Sequence, residues 1–245
     1  MKLWNLVEEL KTDRYEWVEL SHVVSDKTPH WIGFNPFAIV SKPLDWHEPP
    51  YDVVSHEYDI VSQYGTHIDA PKHFVDAGRT LEKLPARYTL FPMCVVDCSE
   101  KVKSNPDYQL TIDDLLEYED KYGRIPDNAF VAMRSDWSIN HADDYENNDA
   151  DGNPHYPGWK LEALHWLVEE RNVGAIGHEP TDTDAPAAGL GWAGELYILQ
   201  QDKFQIEVMN NLNLVPPAGA MLICAWPRIE GGVGFTARCI AVFEK

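Results

Sequence analysis

Gln63, His67, Asp69 and His73 all carry odd numbers within the run Gln63-Tyr64-Gly65-Thr66-His67-Ile68-Asp69-Ala70-Pro71-Lys72-His73. In an extended chain residues two apart share a face, so a roughly extended segment would turn these four side chains toward one another. Imidazole and carboxylate are standard ligands of Zn²⁺ and Mn²⁺, and His67 with Asp69 could supply two of them. Gly65 lets the backbone fold in close, and Pro71 stiffens the exit without needing an amide donor. The bland alternative, two loop histidines satisfied locally, suits a lone histidine better than four polar groups in phase around Gly-Thr and Pro.

The elements that must hold this run can be read from periodicity. Leu3, Leu6, Val7 and Leu10 predict an amphipathic helix over residues 2–11, a packing or oligomer arm. Residues 17–37, rich in Pro, Gly and aromatics, read as an irregular segment able to line an apolar pocket. Residues 53–61 read as a strand running into Gly65-Thr66, which puts the polar run at a strand end. Residues 94–97 form a buried strand, and Thr111 with Asp114 resembles a capping box that opens a helix to about Tyr122. A buried strand over 129–134, a long surface loop and candidate lid over 140–157, and a helix over 159–171 follow. Then come a strand over 173–177, a polar loop over 179–189, a helix over about 194–201, and two strands over 220–226 and 237–243. Helices are too few for a doubly wound fold, so a single α/β domain, residues 1–245, with a mixed, barrel-like sheet fits best.

Composition narrows the partners. Forty acidic residues against twenty basic ones give a formal charge of -20, which disfavours phosphate backbones and anionic lipid, so no nucleic acid and no membrane is expected. The partner is a small-molecule substrate. Cys94, Cys98, Cys224 and Cys239 sit in apolar contexts without zinc-ribbon spacing, and free buried thiols are the expectation. The first ten residues lack an apolar run long enough for a signal peptide or a span, which points to the cytoplasm.

The run Gly65-Thr66-His67-Ile68-Asp69-Ala70-Pro71-Lys72-His73 resembles the signature of the cyclase family of metal-dependent hydrolases, which includes bacterial kynurenine formamidases and isatin hydrolases. The family pattern is His, any residue, Gly-Thr-His, any residue, Asp, any residue, Pro, any residue, His. Leu20-Ser21-His22 is similar to the family's opening segment, and residues 219–242 are similar to its closing strands. The resemblance implies a swivelling β/β/α fold, a homodimer or homotetramer, and hydrolysis of a carbon–nitrogen bond in a small amide, formamide or cyclic amide. It also implies that His67, Asp69 and Glu207 are metal ligands and that His73 does general acid/base work.

Two positions depart from the family's binuclear pattern. Gln63 stands where the first histidine ligand is expected, and Glu195, twelve residues before Glu207, stands where another is expected. Oxygen in place of two nitrogens shifts preference from Zn²⁺ toward Mn²⁺, so one divalent ion, Mn²⁺ or Zn²⁺ with Mn²⁺ favoured, is expected. His178, in a segment with Glu179, Asp182 and Asp184, could replace a missing imidazole, although such a segment is also ordinary turn chemistry. The candidate ligands are therefore Gln63, His67, Asp69, His178, Glu195 and Glu207. Glu195 and Glu207 do not share one helical face, so a break near Asp202 must intervene if both face the site.

The ion would polarise the scissile carbonyl and acidify its water to hydroxide, with His73 passing the proton to the leaving nitrogen. Two rivals stand beside hydrolysis: a metal-dependent lyase or dehydratase acting on a carbon acid, and a non-catalytic small-molecule-binding member of the family. Trp31, Phe34, Phe37 and Trp46 are expected in the core, with a substrate-stacking wall as the alternative. Arg134 meets either a substrate carbonyl or an acidic partner.

Overall fold

The computed structural model describes residues 2–245. Its strands are β1 (Tyr15–Glu19), β2 (Ala38–Trp46), β3 (Val53–Asp59), β4 (His67–Asp69), β5 (Leu90–Asp97), β6 (Gln109–Leu110) and β7 (Phe130–Arg134). They continue as β8 (Gly158–Trp159), β9 (Ala175–His178), β10 (Phe204–Glu207), β11 (Ala220–Ala225), β12 (Gly234–Thr236) and β13 (Arg238–Glu244). The α-helices are α1 (Leu3–Leu10), α2 (Ser99–Ser104), α3 (Ile112–Tyr122), α4 (Trp137–Asn140), α5 (Leu161–Glu169) and α6 (Ala193–Gln200).

Nine strands make one mixed sheet in the order β1-β13-β11-β5-β7-β9-β10-β4-β12. The centre, β5 to β10, is parallel, and both flanks are antiparallel. Only Ala237 separates β12 from β13 in the chain, yet the two lie near opposite ends of the sheet. The sheet must therefore curl until its ends meet, the barrel-like arrangement expected from the sequence.

Alternation along the strands loads both faces. Phe91, Met93 and Val95 of β5 pack inside the curl with Ile68, Phe130, Phe204 and Leu222. Cys94 and Val96 face the other way, under Leu115 of α3, Leu164 and Leu167 of α5 and Ile198 of α6. Burial on both faces is why β5 and β7 read as continuous apolar runs. The capping box of α3 is present, with the Asp114 amide donating to Thr111 Oγ1 and Thr111 N donating to Asp114 Oδ2 at 2.6 Å.

Several expectations need correction. The strand read over 53–61 does not run into the polar run: β3 pairs with β2 in a separate two-stranded sheet, both largely exposed, and β4 is an element of its own. β1, β2, β6, β8, β10 and β12 were not anticipated, and β1 takes residues 17–19 out of the segment read as irregular. The loop over 140–157 is long but pinned rather than lid-like: Trp137 Nε1 donates to the Tyr145 carbonyl at 2.9 Å and Tyr145 Oη to the Glu179 carbonyl at 2.9 Å. Tyr145 and Tyr156 are buried, so opening this loop would expose two aromatic side chains. Helix α1 forms as expected, but none of its residues is buried within the chain. All four cysteines are buried and free. No described helix is long and apolar enough to cross a membrane.

One residue of the polar run ties the layers together. Thr66, buried, donates its hydroxyl to the Val208 carbonyl at 2.6 Å and accepts the His22 amide at 2.9 Å. Val208 has φ 52, a conformation that costs a β-branched residue on the order of 1–3 kcal/mol and must be held by its surroundings. Thr66→Val keeps the shape but leaves two backbone groups unpaired. We expect it to lower unfolding free energy by about 1–3 kcal/mol in chemical denaturation; a loss below about 0.5 kcal/mol, the level of an ordinary surface substitution, would contradict this role.

Candidate metal centre and cleft

The site is built on strand register. β4 and β10 pair antiparallel with His67 opposite Glu207 and Asp69 opposite Gln205. Directly opposed residues put their side chains on the same face, so an imidazole, an amide and two carboxylates meet within one short ladder. Parallel pairing of β9 to β10 ends with Gly177 beside Ile206, and one residue on His178 Nε2 lies 3.3 Å from Glu207 Oε1, both residues at the carboxyl ends of their strands, where open α/β sheets bind ligands.

The chain then turns twice to complete the cluster. Gly65, φ 62, bends Gln63 back, and a Cβ there would lie 2.7 Å from Thr28 Cγ2. After Asp69 a 3-10 turn over Pro71–His73 carries His73 round, so that its Nε2 lies 3.9 Å from Asp69 Oδ1 and 3.8 Å from Glu195 Oε1. The four odd-numbered side chains do converge, but through these two turns and not through a continuous extended face. Glu195 arrives on the first turn of α6, where the Asp184 carboxylate accepts the amides of Gly194 (2.8 Å) and Glu195 (3.1 Å). The required break falls at Asp202, φ 57, between α6 and β10.

The two buried histidines are wired in opposite senses. His67 Nδ1 lies 2.8 Å from the Gly65 carbonyl and donates to it, which leaves Nε2 turned to Asp69 Oδ2 and Glu207 Oε2, each at 3.4 Å. His178 Nδ1 instead faces the Trp159 indole N–H at 3.3 Å, a group that can only donate. His178 Nε2 lies 3.3 Å from Glu207 Oε1 and is buried without a hydrogen-bond partner.

Acidic side chains are concentrated here beside two histidines, His67 and His73. The cleft, about 220 Å³, is lined by Gln63, His67, His73, Thr181, Asp182, Glu195, Glu207 and Val208, with Trp31, Phe34, Phe74 and Trp192 as aromatic walls. No lysine or arginine lines it among the described residues. Burial, reinforced by Glu207 and Asp69, raises the Glu195 carboxyl well above the usual range. Burial and Glu207 likewise push Asp182 up to about 8. Burial alone would strip the proton from His67, yet Asp69 and Glu207 outweigh it and raise the imidazole to about 10.

These groups fit a divalent cation. Asp69 Oδ1 is buried without a hydrogen-bond partner. His67, Asp69 and Glu207 offer one ligand atom each within 4.8 Å of one another, as do Asp69, His73 and Glu195, and Asp182, Glu195 and Glu207. His67 has its Nδ1 proton fixed on a carbonyl, the arrangement that frees Nε2 for a metal. Of the sequence-derived residues, His67, Asp69, His73, Glu195 and Glu207 come together. Gln63 lies at the rim with its Nε2 3.5 Å from His73 Nδ1, and its Oε1 accepts the Ser62 hydroxyl. His178 stands behind Glu207.

Sequence reading missed Gln205, Phe74 and Trp192, and named Asp182 only as part of the segment around His178. The alternation Phe204-Gln205-Ile206-Glu207 was the available signal for Gln205, since a polar residue two before Glu207 in a strand must share its face. Arg134 takes the acidic partner: its Nε pairs with Asp136 Oδ1 and its Nη1 with Asp97 Oδ2, each at 2.7 Å. Trp31 and Phe34 form the wall, while Phe37 and Trp46 stack on Tyr58 and Tyr51 of the outlying hairpin, so none of the four is in the core.

Comparison with known proteins gives a consistent neighbourhood. Residues 18–185 match the family model described as "Putative cyclase". The isatin hydrolase of Roseibium aggregatum is 32% identical over 191 residues, 74% of this chain and 72% of that protein. The structure of isatin hydrolase A from Labrenzia aggregata bound to benzyl benzoate superposes with a TM-score of 0.91 at 30% identity, over 100% of both chains. An isatin hydrolase bound to the product analogue thioisatinate superposes with a TM-score of 0.89 at 27% identity, over 99% of this chain and 98% of that one.

If the ladder residues hold the cation, Asp69→Asn removes the charge that the pair of strands brings to it. Elemental analysis is expected to find one ion per wild-type chain and almost none in Asp69→Asn. Full occupancy in the variant, or two ions in unsupplemented wild type, would contradict the assignment.

Proposed function

The chain belongs to the cyclase family of metal-dependent hydrolases, and from that membership we propose that it hydrolyses the carbon–nitrogen bond of a small cyclic amide borne on a flat aromatic ring. The observation that carries this reading is the join of an imidazole–carboxylate cluster to a cleft walled by Trp31, Phe34, Phe74 and Trp192. Aromatic walls favour a planar ring, and about 220 Å³ suits a small one.

His67, Asp69 and Glu207 would hold a single divalent ion, Mn²⁺ or Zn²⁺, with Glu195 and Gln63 at the edge of the same site. His178, whose buried Nε2 lies 3.3 Å from Glu207 Oε1 and has no hydrogen-bond partner, stands where it could join Glu207 at the ion. An ion bound there supplies Lewis acidity, polarising the amide carbonyl and acidifying water. The aromatic pairs orient the ring and exclude water from its faces. His73, with Nδ1 3.5 Å from Gln63 Nε2 and Nε2 facing Asp69 and Glu195, takes a proton from the attacking water and delivers it to the leaving nitrogen. Glu195 Oε1, 3.8 Å from His73 Nε2, is the carboxylate that steadies the imidazolium formed during the exchange.

The uncovered apolar stripe Leu3, Leu6 and Val7 of α1 and the exposed Ile39, Leu44, Trp46 and Val54 of the β2–β3 hairpin support assembly as a homodimer or homotetramer. Light scattering is expected to give two or four chains; a monomer at micromolar concentration would count against it.

His73→Ala is expected to lower kcat about 100-fold or more on cyclic amides while metal content stays at the wild-type level. Turnover in ¹⁸O-labelled water should place one label in the product carboxylate, whereas a lyase or dehydratase would leave product unlabelled. Undiminished kcat in a folded His73→Ala protein would remove His73 from the proton path.

A further inference from the structure

Gln205 is fully buried in β10 and carries the one amide at the heart of the cluster. Its Nε2 lies 2.9 Å from Glu207 Oε1, 3.0 Å from Glu195 Oε1 and 3.2 Å from Asp69 Oδ2. Its Oε1 accepts the hydroxyl of Thr183, also fully buried, at 2.7 Å. Thr183 is tied in turn through its carbonyl, which accepts the Trp159 amide at 2.9 Å.

The amide's orientation follows from chemistry. Turned the other way, Oε1 would face three carboxylate oxygens, acceptor against acceptor, and Nε2 would face the Thr183 hydroxyl. With Nε2 facing them, two N–H groups are shared among three acceptors, so each oxygen is held but none is neutralised. A lysine or arginine at this position would cancel the charge; a glutamine fixes geometry and leaves the charge for a cation. It also sorts the oxygens: Glu207 Oε1 and Asp69 Oδ2 are engaged, while Asp69 Oδ1 has no hydrogen-bond partner and Glu207 Oε2 is turned to His67.

We infer that Gln205 is a positioning residue, fastening Asp69, Glu195 and Glu207 in the arrangement that receives the ion, and that Thr183 sets which end of its amide faces them. The inference rests on the proposed metal-dependent reading of the same site.

The test is a Mn²⁺ titration of chelator-stripped protein, followed by calorimetry and by the Mn²⁺ paramagnetic resonance line shape, on wild type, Gln205→Leu and Thr183→Val. Gln205→Leu, folded by near-ultraviolet circular dichroism, is expected to bind Mn²⁺ about 10–100-fold more weakly with a broadened line, the scale typical of losing an outer-shell partner. Thr183→Val, which keeps the glutamine, is expected to bind roughly 3–10-fold more weakly, the lower end of that scale. A purely structural role would lower the melting temperature of the stripped proteins but leave Mn²⁺ affinity and line shape at wild-type values, and that result overturns the inference. Tighter binding in Thr183→Val would also overturn it, since the freed amide oxygen would then be a ligand. Should Gln205→Leu not fold, Thr183→Val alone decides between these outcomes. Absence of Mn²⁺ binding by wild type would instead defeat the metal-dependent reading itself, and the inference with it.

Discussion

The antiparallel register between β4 and β10 is the constraint on which the rest of the molecule depends. It sets His67 against Glu207 and Asp69 against Gln205. A slip of one residue would send Ile68 and Ile206, both fully buried on the opposite face, into the cleft and the charged groups into the core. Short strands seldom fix register unaided, and here neighbours on both sides do it. β12 pairs β4 with Thr236 opposite His67, and β9 pairs β10 in parallel. Thr66 then locks the strand ends through Val208 and His22. Near-closure of the sheet serves the same end, because β12 can reach β4 only if Ala237 carries the chain across from β13.

Packing several carboxylates into a buried cluster is costly, and among the described residues no lysine or arginine lines the cleft to offset it. The cost appears as Glu195 raised well above the usual range by burial and by its neighbours, and as His67 drawn toward the charged form by Asp69 and Glu207. The neutral amide of Gln205, 2.9 Å from Glu207 Oε1, orders the oxygens without removing their charge. A site so arranged has a strong preference for a compact positive charge, which is the physical content of metal dependence here.

How far this was legible in sequence depended on whether a residue's neighbours are local. His67, Asp69 and His73 were readable because a single run of the chain contains them, although the reason first assigned, a continuous extended face, misses the turns at Gly65 and Pro71. Glu207 and Glu195 were reached only by resemblance to a family, since nothing local says that β10 lies against β4. β2 escaped because it is exposed along nearly its whole length, so no core imprints an apolar alternation on it, and Pro43 lies within it. The α3 boundaries, by contrast, follow from Thr111 and Asp114, whose capping bonds join residues three apart. His178 shows the deeper limit: which of its nitrogens faces the cluster depends on Trp159, nineteen residues away in sequence.

The site also divides its labour between rigid and adaptable parts. The cation-directed groups sit on strand ends and on the first turn of α6, with His67, Asp69, Glu195 and Glu207 almost wholly buried. The aromatic walls come from segments with little packing of their own: Trp31 is 48% exposed and Trp192 59% exposed. Changing an aromatic there alters what fits over the cluster without disturbing the ladder beneath it, whereas any change at Gln205 or Thr66 reaches the ladder directly. What fits over the cluster can therefore drift while the charged groups beneath it are held in place by strand register.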